Sequence, residues 1–253
     1  YIPITLLKRE LKYTVGSAYL LMRAIDEIED HESLATDVKE ELLKETAILL
    51  REDGEFAAEK YNELIAPYKD ELPEVTVRLP DWILVCPSGI LSKVRESTAE
   101  MAEGMAKWAK NNWIIHTKED LDDYTYYVAG LVGVMLSDIW EWYDGTKTDY
   151  NLAVGFGRGL QAVNSLRNQD EDFAERGVRF IPDGWVRDDV FAYARENLHL
   201  ADEYMKDIKT RQIYLFCKIP LTLAKRTLQA MEVGKEKMSR QEVEEVVAKI
   251  KAE

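Results

Sequence analysis

From Ile4 onward the apolar residues Ile4, Leu7, Leu11, Val15, Ala18, Met22 and Ile25 return at steps of three and four. That spacing puts them on one face of a helix and is incompatible with the two-residue alternation of a half-buried strand. It predicts a long helix ending near His31. The same period predicts helices over about 35–52, 54–66, 91–111, 118–142, 152–173, 188–204, 211–230 and 240–252, with Thr117 and Ser239 as capping residues. Pro67, Pro73, Pro80 and Pro87 interrupt the pattern, so that stretch reads as a connecting region. No segment alternates convincingly as a strand, no short repeat recurs and no Gly/Ser linker divides the chain. Thirteen Gly and seven Pro in 253 residues are few for a loop-rich protein. The expectation is an all-α, single-domain chain spanning 1–253, a helical bundle around a central core.

Charge and cysteine content narrow the function classes. Lys and Arg number 33 against 47 Asp and Glu, a net charge of −14. Such a chain repels a phosphate backbone and has no basic stripe to track one, so no nucleic-acid partner is expected. Phosphorylated small molecules stay open, because clustered carboxylates recruit Mg²⁺ and Mg²⁺ binds phosphates. Cys86 and Cys217 are too few for a disulfide framework or a Cys-based zinc site and fit a reducing compartment. His31, His116 and His199 share no metal-ligand spacing, which leaves His-ligated zinc and a Ser-His-Asp triad without local support. No apolar run reaches membrane-spanning length. The expected location is cytoplasmic with peripheral membrane contact, the expected state a monomer or weak dimer. Beginning at Tyr1 and not Met, the chain is read as incomplete at its N-terminus.

Two stretches carry more acid and amide than a surface helix needs. Asp26 is followed by Glu29 at three residues and Asp30 at four, so the three carboxylates share one side of the helix and repel one another unless a cation such as Mg²⁺ sits among them. Arg23, one turn earlier on the same side, is available to a phosphate. The plainer alternative is a solvated acidic face ending a surface helix. In the second stretch Asn164, Asn168 and Asp172 recur at four-residue steps beside the apolar Leu160, Val163 and Leu166, forming a line of oxygen ligands at the border of a core face. Here the alternative is an Asn/Asp-rich helix end running into the loop before Pro182. Two such helices would build a paired Mg²⁺ site that holds and activates a diphosphate. Between them, Gly130 and Gly133 inside a predicted helix cost about 1 kcal/mol each relative to Ala and point to close approach of another helix or a ligand. The neighbouring Tyr124, Tyr126 and Tyr127 read as core or as ring faces that stabilise a cation.

In these residues the chain resembles the squalene/phytoene synthase family over nearly its whole length. Tyr19 to Asp30 resembles the family's first aspartate-rich motif, in its DxxED form. Met101-Ala102-Glu103-Gly104-Met105 resembles the MxxGM helix, and Tyr124 to Gly133 the Y-C-x-x-VAG-x-VG segment. Gln161 to Asp172 resembles the second motif, LQxxNxxRDxxED. Phe216-Cys217-Lys218-Ile219-Pro220, followed by Ala224 and Thr227-Leu228, resembles the FCAIP…ATL stretch. The resemblance implies an all-α isoprenoid-synthase fold with a central apolar cavity. It also implies Mg²⁺-dependent head-to-head condensation of two farnesyl diphosphates, through presqualene diphosphate, to squalene, with NADPH as hydride donor. By the same resemblance Asp26, Glu29, Asp30, Asn164, Asn168 and Asp172 hold the metals. Arg23, Gln161, Arg167, Arg176, Arg179 and Phe216 contact substrate, and Tyr124 lies beside the ionising allylic diphosphate.

The chain departs from the family pattern in four places. Asn168 stands where the second motif usually begins with Asp, Thr125 replaces the usual Cys, and Arg176 to Pro182 reorders the usual GRxYLP run. The Ser-Arg or Ser-Phe segment before the first helix is absent. Two further enzyme readings stay open: a dehydrosqualene- or phytoene-type synthase, which shares the metals and needs no NADPH, and a class I terpene cyclase acting on one prenyl diphosphate, which is favoured by Asn168. Asn168 also keeps open a helical bundle that binds an isoprenoid diphosphate without turning it over.

Overall fold

The structure, a computed structural model, describes residues 2–176, 180–235 and 238–253, excepting the side chains of residue 2 and of 170–176. Every regular element among the described residues is helical, as the period predicts. The chain forms two compact units, Arg9–Ile114 and the remainder, Tyr1–Lys8 with Ile115–Glu253. The expected helix from Ile4 to His31 is broken. A four-residue α1 (Ile2–Thr5) belongs to the second unit, and α2 (Arg9–Glu29) opens the first. Tight turns from Leu6 N to Pro3 O (3.2 Å) and Leu7 N to Ile4 O (3.1 Å) end α1. The Lys8 amide then leaves the helical ladder for Gln212 Oε1 at 2.7 Å. The apolar period runs through this break because Leu7 and Leu11 are both buried, and a pattern that reports burial does not report which helix does the burying.

In the first unit α2 is followed by α3 (Thr36–Arg51), α4 (Ala58–Ile65), α5 (Glu74–Val77), α6 (Leu79–Val85) and α7 (Ser88–Lys110). Leu11, Val15, Ala18, Met22 and Ile25 are buried, and α2 packs through this face against α5, α6 and α7. Each large apolar side chain so buried contributes about 2 kcal/mol. The proline-rich stretch connects α4 to α7 as a string of short helices. Pro67 lies in a one-turn 3-10 helix, Pro73 precedes α5, Pro80 sits in the first turn of α6 and Pro87 precedes α7. At those positions the missing N–H has no helical partner to lose. Thr76 of α5 ties the string to α2: its hydroxyl donates to Ala24 O at 2.9 Å, and its carbonyl accepts from the buried Tyr61 hydroxyl at 2.6 Å.

Buried Arg95 on α7 caps the end of α3. Its Nε donates to Leu50 O (2.9 Å), Nη1 to Gly54 O (2.7 Å) and Nη2 to Glu52 O (2.9 Å), carbonyls that have no helical partner. Arg95→Met keeps most of the volume and strands these acceptors. The expected loss is about 3 kcal/mol of stability, read from the midpoint of urea unfolding.

The second unit comprises α1, α8 (Lys118–Thr125), a π-helical turn (Tyr126–Gly130), α9 (Leu131–Asp144), α10 (Tyr150–Arg176), α11 (Arg187–Met205), α12 (Arg211–Glu232) and α13 (Arg240–Ala252). Thr117 and Ser239 each close a capping box, with Asp120 and Glu242 respectively. The helix expected over 118–142 widens at Tyr126–Gly130 because α10 crosses it there. A side-chain carbon on Gly157 of α10 would stand 2.3 Å from Ala129 O, and one on Gly133 of α9 would stand 2.3 Å from Ala153 O. The glycines therefore mark helix–helix approach. Cys86 and Cys217 are buried free thiols. Burial raises both above the usual thiol range, Cys217 to about 12, which makes them inert core groups. No described helix is long and apolar enough to cross a membrane.

Candidate active site

At the C-terminal end of α2, Asp26, Glu29 and Asp30 each offer a carboxylate oxygen, and the three lie within 4.8 Å of one another. This is the negative end of the helix, where the partial charges of the terminal carbonyls disfavour further negative charge. Unit charges at such separations near a protein surface repel by about 3 kcal/mol. Asp26 is half-buried, Asp30 exposed and Glu29 buried at 1 % exposure. Arg23, half exposed one turn earlier, bridges Asp26 at 3.6 Å and Glu27 more closely.

Two residues that the sequence does not point to hold Glu29. Trp113, just past α7, donates through Nε1 to Glu29 Oε1 at 2.9 Å. Buried Lys39 of α3 donates through Nζ to the Glu29 carbonyl at 2.8 Å, placing a cation at the helix terminus that favours one. Asn112 and Trp113 both have left-handed backbones, φ 55° and 54°, which for residues other than glycine costs on the order of 1 kcal/mol each. The donor set is all oxygen and converges within a few ångström, which fits a hard divalent cation such as Mg²⁺.

In the second unit the amide stripe lies on α10. Asn164 is exposed and accepts from Arg167 Nη2 at 3.1 Å. Gln161 and Asn168 are half-buried, and Val163 and Leu166 are core. The side chains of Asp172 and Arg176, and Arg179 altogether, lie outside the described residues. Tyr124 is 5 % exposed and stacks on Phe180, with ring centroids 5.1 Å apart and planes 19° apart. Phe180 itself holds φ 54°. Phe216 sits in the core with its ring edge-on to Trp140 at 5.6 Å.

A hydrogen-bonded network beside Tyr124 was also invisible in the sequence. The Tyr193 hydroxyl donates to Asp122 Oδ1 at 2.7 Å and lies 3.1 Å from Thr125 Oγ1. Arg158 donates to Thr125 Oγ1 at 3.2 Å and to Asp122 O at 2.6 Å. Burial, with the neighbouring Asp122 carboxylate, pushes the Tyr193 phenol up, so it acts as a fixed donor and not as an acid. Together these bonds anchor the helical turn that leads from Tyr124 into the π-helical turn.

A family model described as squalene/phytoene synthase matches residues 1–190. The chain is 29 % identical over 245 residues to the squalene synthase of Schizosaccharomyces pombe, covering 84 % of this chain and 52 % of that one. It is 27 % identical over 254 residues to the squalene synthase of Dictyostelium discoideum, covering 88 % and 59 %. The chain thus spans little more than half the length of these curated relatives. Among solved structures, TcSQS in complex with the ligand E5700 superposes with a TM-score of 0.74 at 22 % identity, over 98 % of this chain and 80 % of that one. A dehydrosqualene synthase in complex with ligand gives 0.64 at 18 %, over 100 % and 90 %. These two structures share the all-α fold.

Proposed function

Because the chain belongs to the squalene/phytoene synthase family, we propose that it is a prenyltransferase that joins two farnesyl diphosphates head to head, through presqualene diphosphate, to squalene in an Mg²⁺-dependent reaction. The observation that carries this reading is the convergence of Asp26, Glu29 and Asp30 within 4.8 Å at the negative end of α2, an all-oxygen donor set of the kind that suits a hard divalent cation. These three hold the metal in the proposal, and Asn164, Asn168 and Asp172 supply further ligands. When bound, Mg²⁺ neutralises the charge that develops on the departing diphosphate. Arg23 exchanges its bonds to Asp26 and Glu27 for diphosphate oxygens, and Arg167, Arg176, Arg179 and Gln161 bind the same group. Tyr124, held rigid by Phe180, turns a ring face to the allylic cation. Phe216 contributes to the apolar wall that keeps water away.

Squalene formation requires a hydride, for which NADPH is the proposed donor. In this proposal residues 1–253 serve as a single synthase domain acting on a prenyl diphosphate, in the cytoplasm with peripheral membrane contact, as a monomer or weak dimer. Asn168, a neutral amide in place of a carboxylate, favours a second reading, a class I terpene cyclase that acts on one prenyl diphosphate and uses no hydride.

The test is to incubate the protein with farnesyl diphosphate and Mg²⁺, with and without NADPH, and to identify extractable hydrocarbons by mass spectrometry. Squalene that appears only with NADPH is the expected result. A cyclised fifteen-carbon hydrocarbon formed equally without NADPH would replace this reading with the second.

A further inference from the structure

We propose that Trp113, seated on Lys39, is a positioning residue for the α2 carboxylate cluster: it holds Glu29 in the orientation in which Glu29 joins Asp26 and Asp30 in binding a divalent cation. The inference rests on the metal reading above and adds to it the group that makes the cluster competent. A carboxylate at 1 % exposure needs a hydrogen-bonding partner to offset the loss of water. Trp113 Nε1 supplies it at 2.9 Å on one oxygen, Oε1, which fixes the plane of the carboxylate. Lys39, itself buried at 5 % exposure, grips the Glu29 carbonyl at 2.8 Å and lies 5.1 Å from the centroid of the Trp113 ring. Ammonium, indole and carboxylate therefore form one assembly. The ammonium fixes the last turn of α2 and carries the ring face, and the ring edge fixes the side chain.

The backbone is bent to make this contact. Asn112 and Trp113 take left-handed φ values of 55° and 54°, and the Trp113 amide reaches back to Trp108 O at 2.8 Å. Residues other than glycine keep such conformations only where their surroundings enforce them, and such positions cluster at functional sites. Partners of this kind orient ligating side chains, and losing one typically costs 10- to 100-fold in metal affinity.

The test titrates Mg²⁺ alone into the full chain by calorimetry and, on isotope-labelled protein, follows the indole N–H resonances by NMR. Trp113→Phe keeps a ring over Lys39 and deletes the donor. Its Mg²⁺ dissociation constant is expected to rise about tenfold. In a Glu29→Gln background the same substitution is expected to add no further loss, whereas a general packing role would cost the same in both. In the wild type, one of the six indole N–H signals is expected to move along the binding curve and to be the signal missing from Trp113→Phe. Unchanged affinity in Trp113→Phe, while the wild type binds Mg²⁺ and Asp26→Ala does not, overturns the positioning role and leaves the metal reading intact. Absence of Mg²⁺ binding by the wild type overturns both. Should Trp113→Phe fail to fold, the wild-type titration decides: an indole signal that follows Mg²⁺ in the wild type but not in Glu29→Gln supports the role, and no indole shift overturns it.

Discussion

Asp26→Ala is expected to lower Mg²⁺-dependent release of diphosphate from farnesyl diphosphate by about 10³-fold. Neutralising a leaving diphosphate with a bound cation is worth several kcal/mol, and about 4 kcal/mol corresponds to three powers of ten in rate. The same substitution is expected to leave the fold alone. Asp26 lies in line with Val15 and Met22 at the C-terminal end of α2, but its side chain is still about a third exposed, and Ala is the residue that best favours a helix. Removing one of three mutually repelling carboxylates also relieves strain at the negative end of α2. Circular dichroism is therefore expected to show unchanged helix content, with a melting temperature equal to or slightly above the wild type. A rate within tenfold of wild type would remove Asp26 from the metal-binding set.

Gly133→Ala should lower stability by about 3 kcal/mol or more, roughly a 10 °C drop in melting temperature for a unit of this size. A methyl group there would stand 2.3 Å from Ala153 O and 2.9 Å from its carbonyl carbon. Both atoms are backbone of α10, so no side chain can swing away, and α9 and α10 must separate. The contact of Gly157 with Ala129 O in the π-helical turn, also 2.3 Å, holds α10 at a second point along the same run. The sign of the effect is the informative part. At Gly16 of α2 an added carbon meets nothing within 4 Å, and Gly16→Ala is expected to stabilise by about 1 kcal/mol through helix propensity alone. Thermal melts of the two variants, measured side by side, are expected to move in opposite directions.

How far the sequence was legible depended on the range of each interaction. The helices of the second unit were readable to within a few residues because their apolar period and caps are local: Thr117 and Ser239 signal their own capping boxes. The break between α1 and α2 was not readable, because it depends on Gln212 taking the Lys8 amide from the far side of the sequence. The proline stretch was readable as a connection that is not one regular helix, but its short helices were not, because Pro marks the start of a short helix as readily as the absence of one. At the site, Asp26, Glu29 and Asp30 announce themselves by spacing within a single turn. Trp113 lies 84 residues from Glu29, and nothing in its neighbourhood signals a carboxylate. The same holds for Arg158 and Tyr193, whose partners Asp122 and Thr125 are brought to them by the crossing of α8, α10 and α11.

The central claim is that this chain ionises a prenyl diphosphate with the help of a divalent cation held by α2. The most direct measurement is inorganic diphosphate released from farnesyl diphosphate by the wild-type protein as Mg²⁺ is titrated, followed by chelation with EDTA. Release is expected to saturate with Mg²⁺ and to stop on chelation. Release that proceeds at the same rate after chelation, or no release at any Mg²⁺ concentration, would contradict that claim.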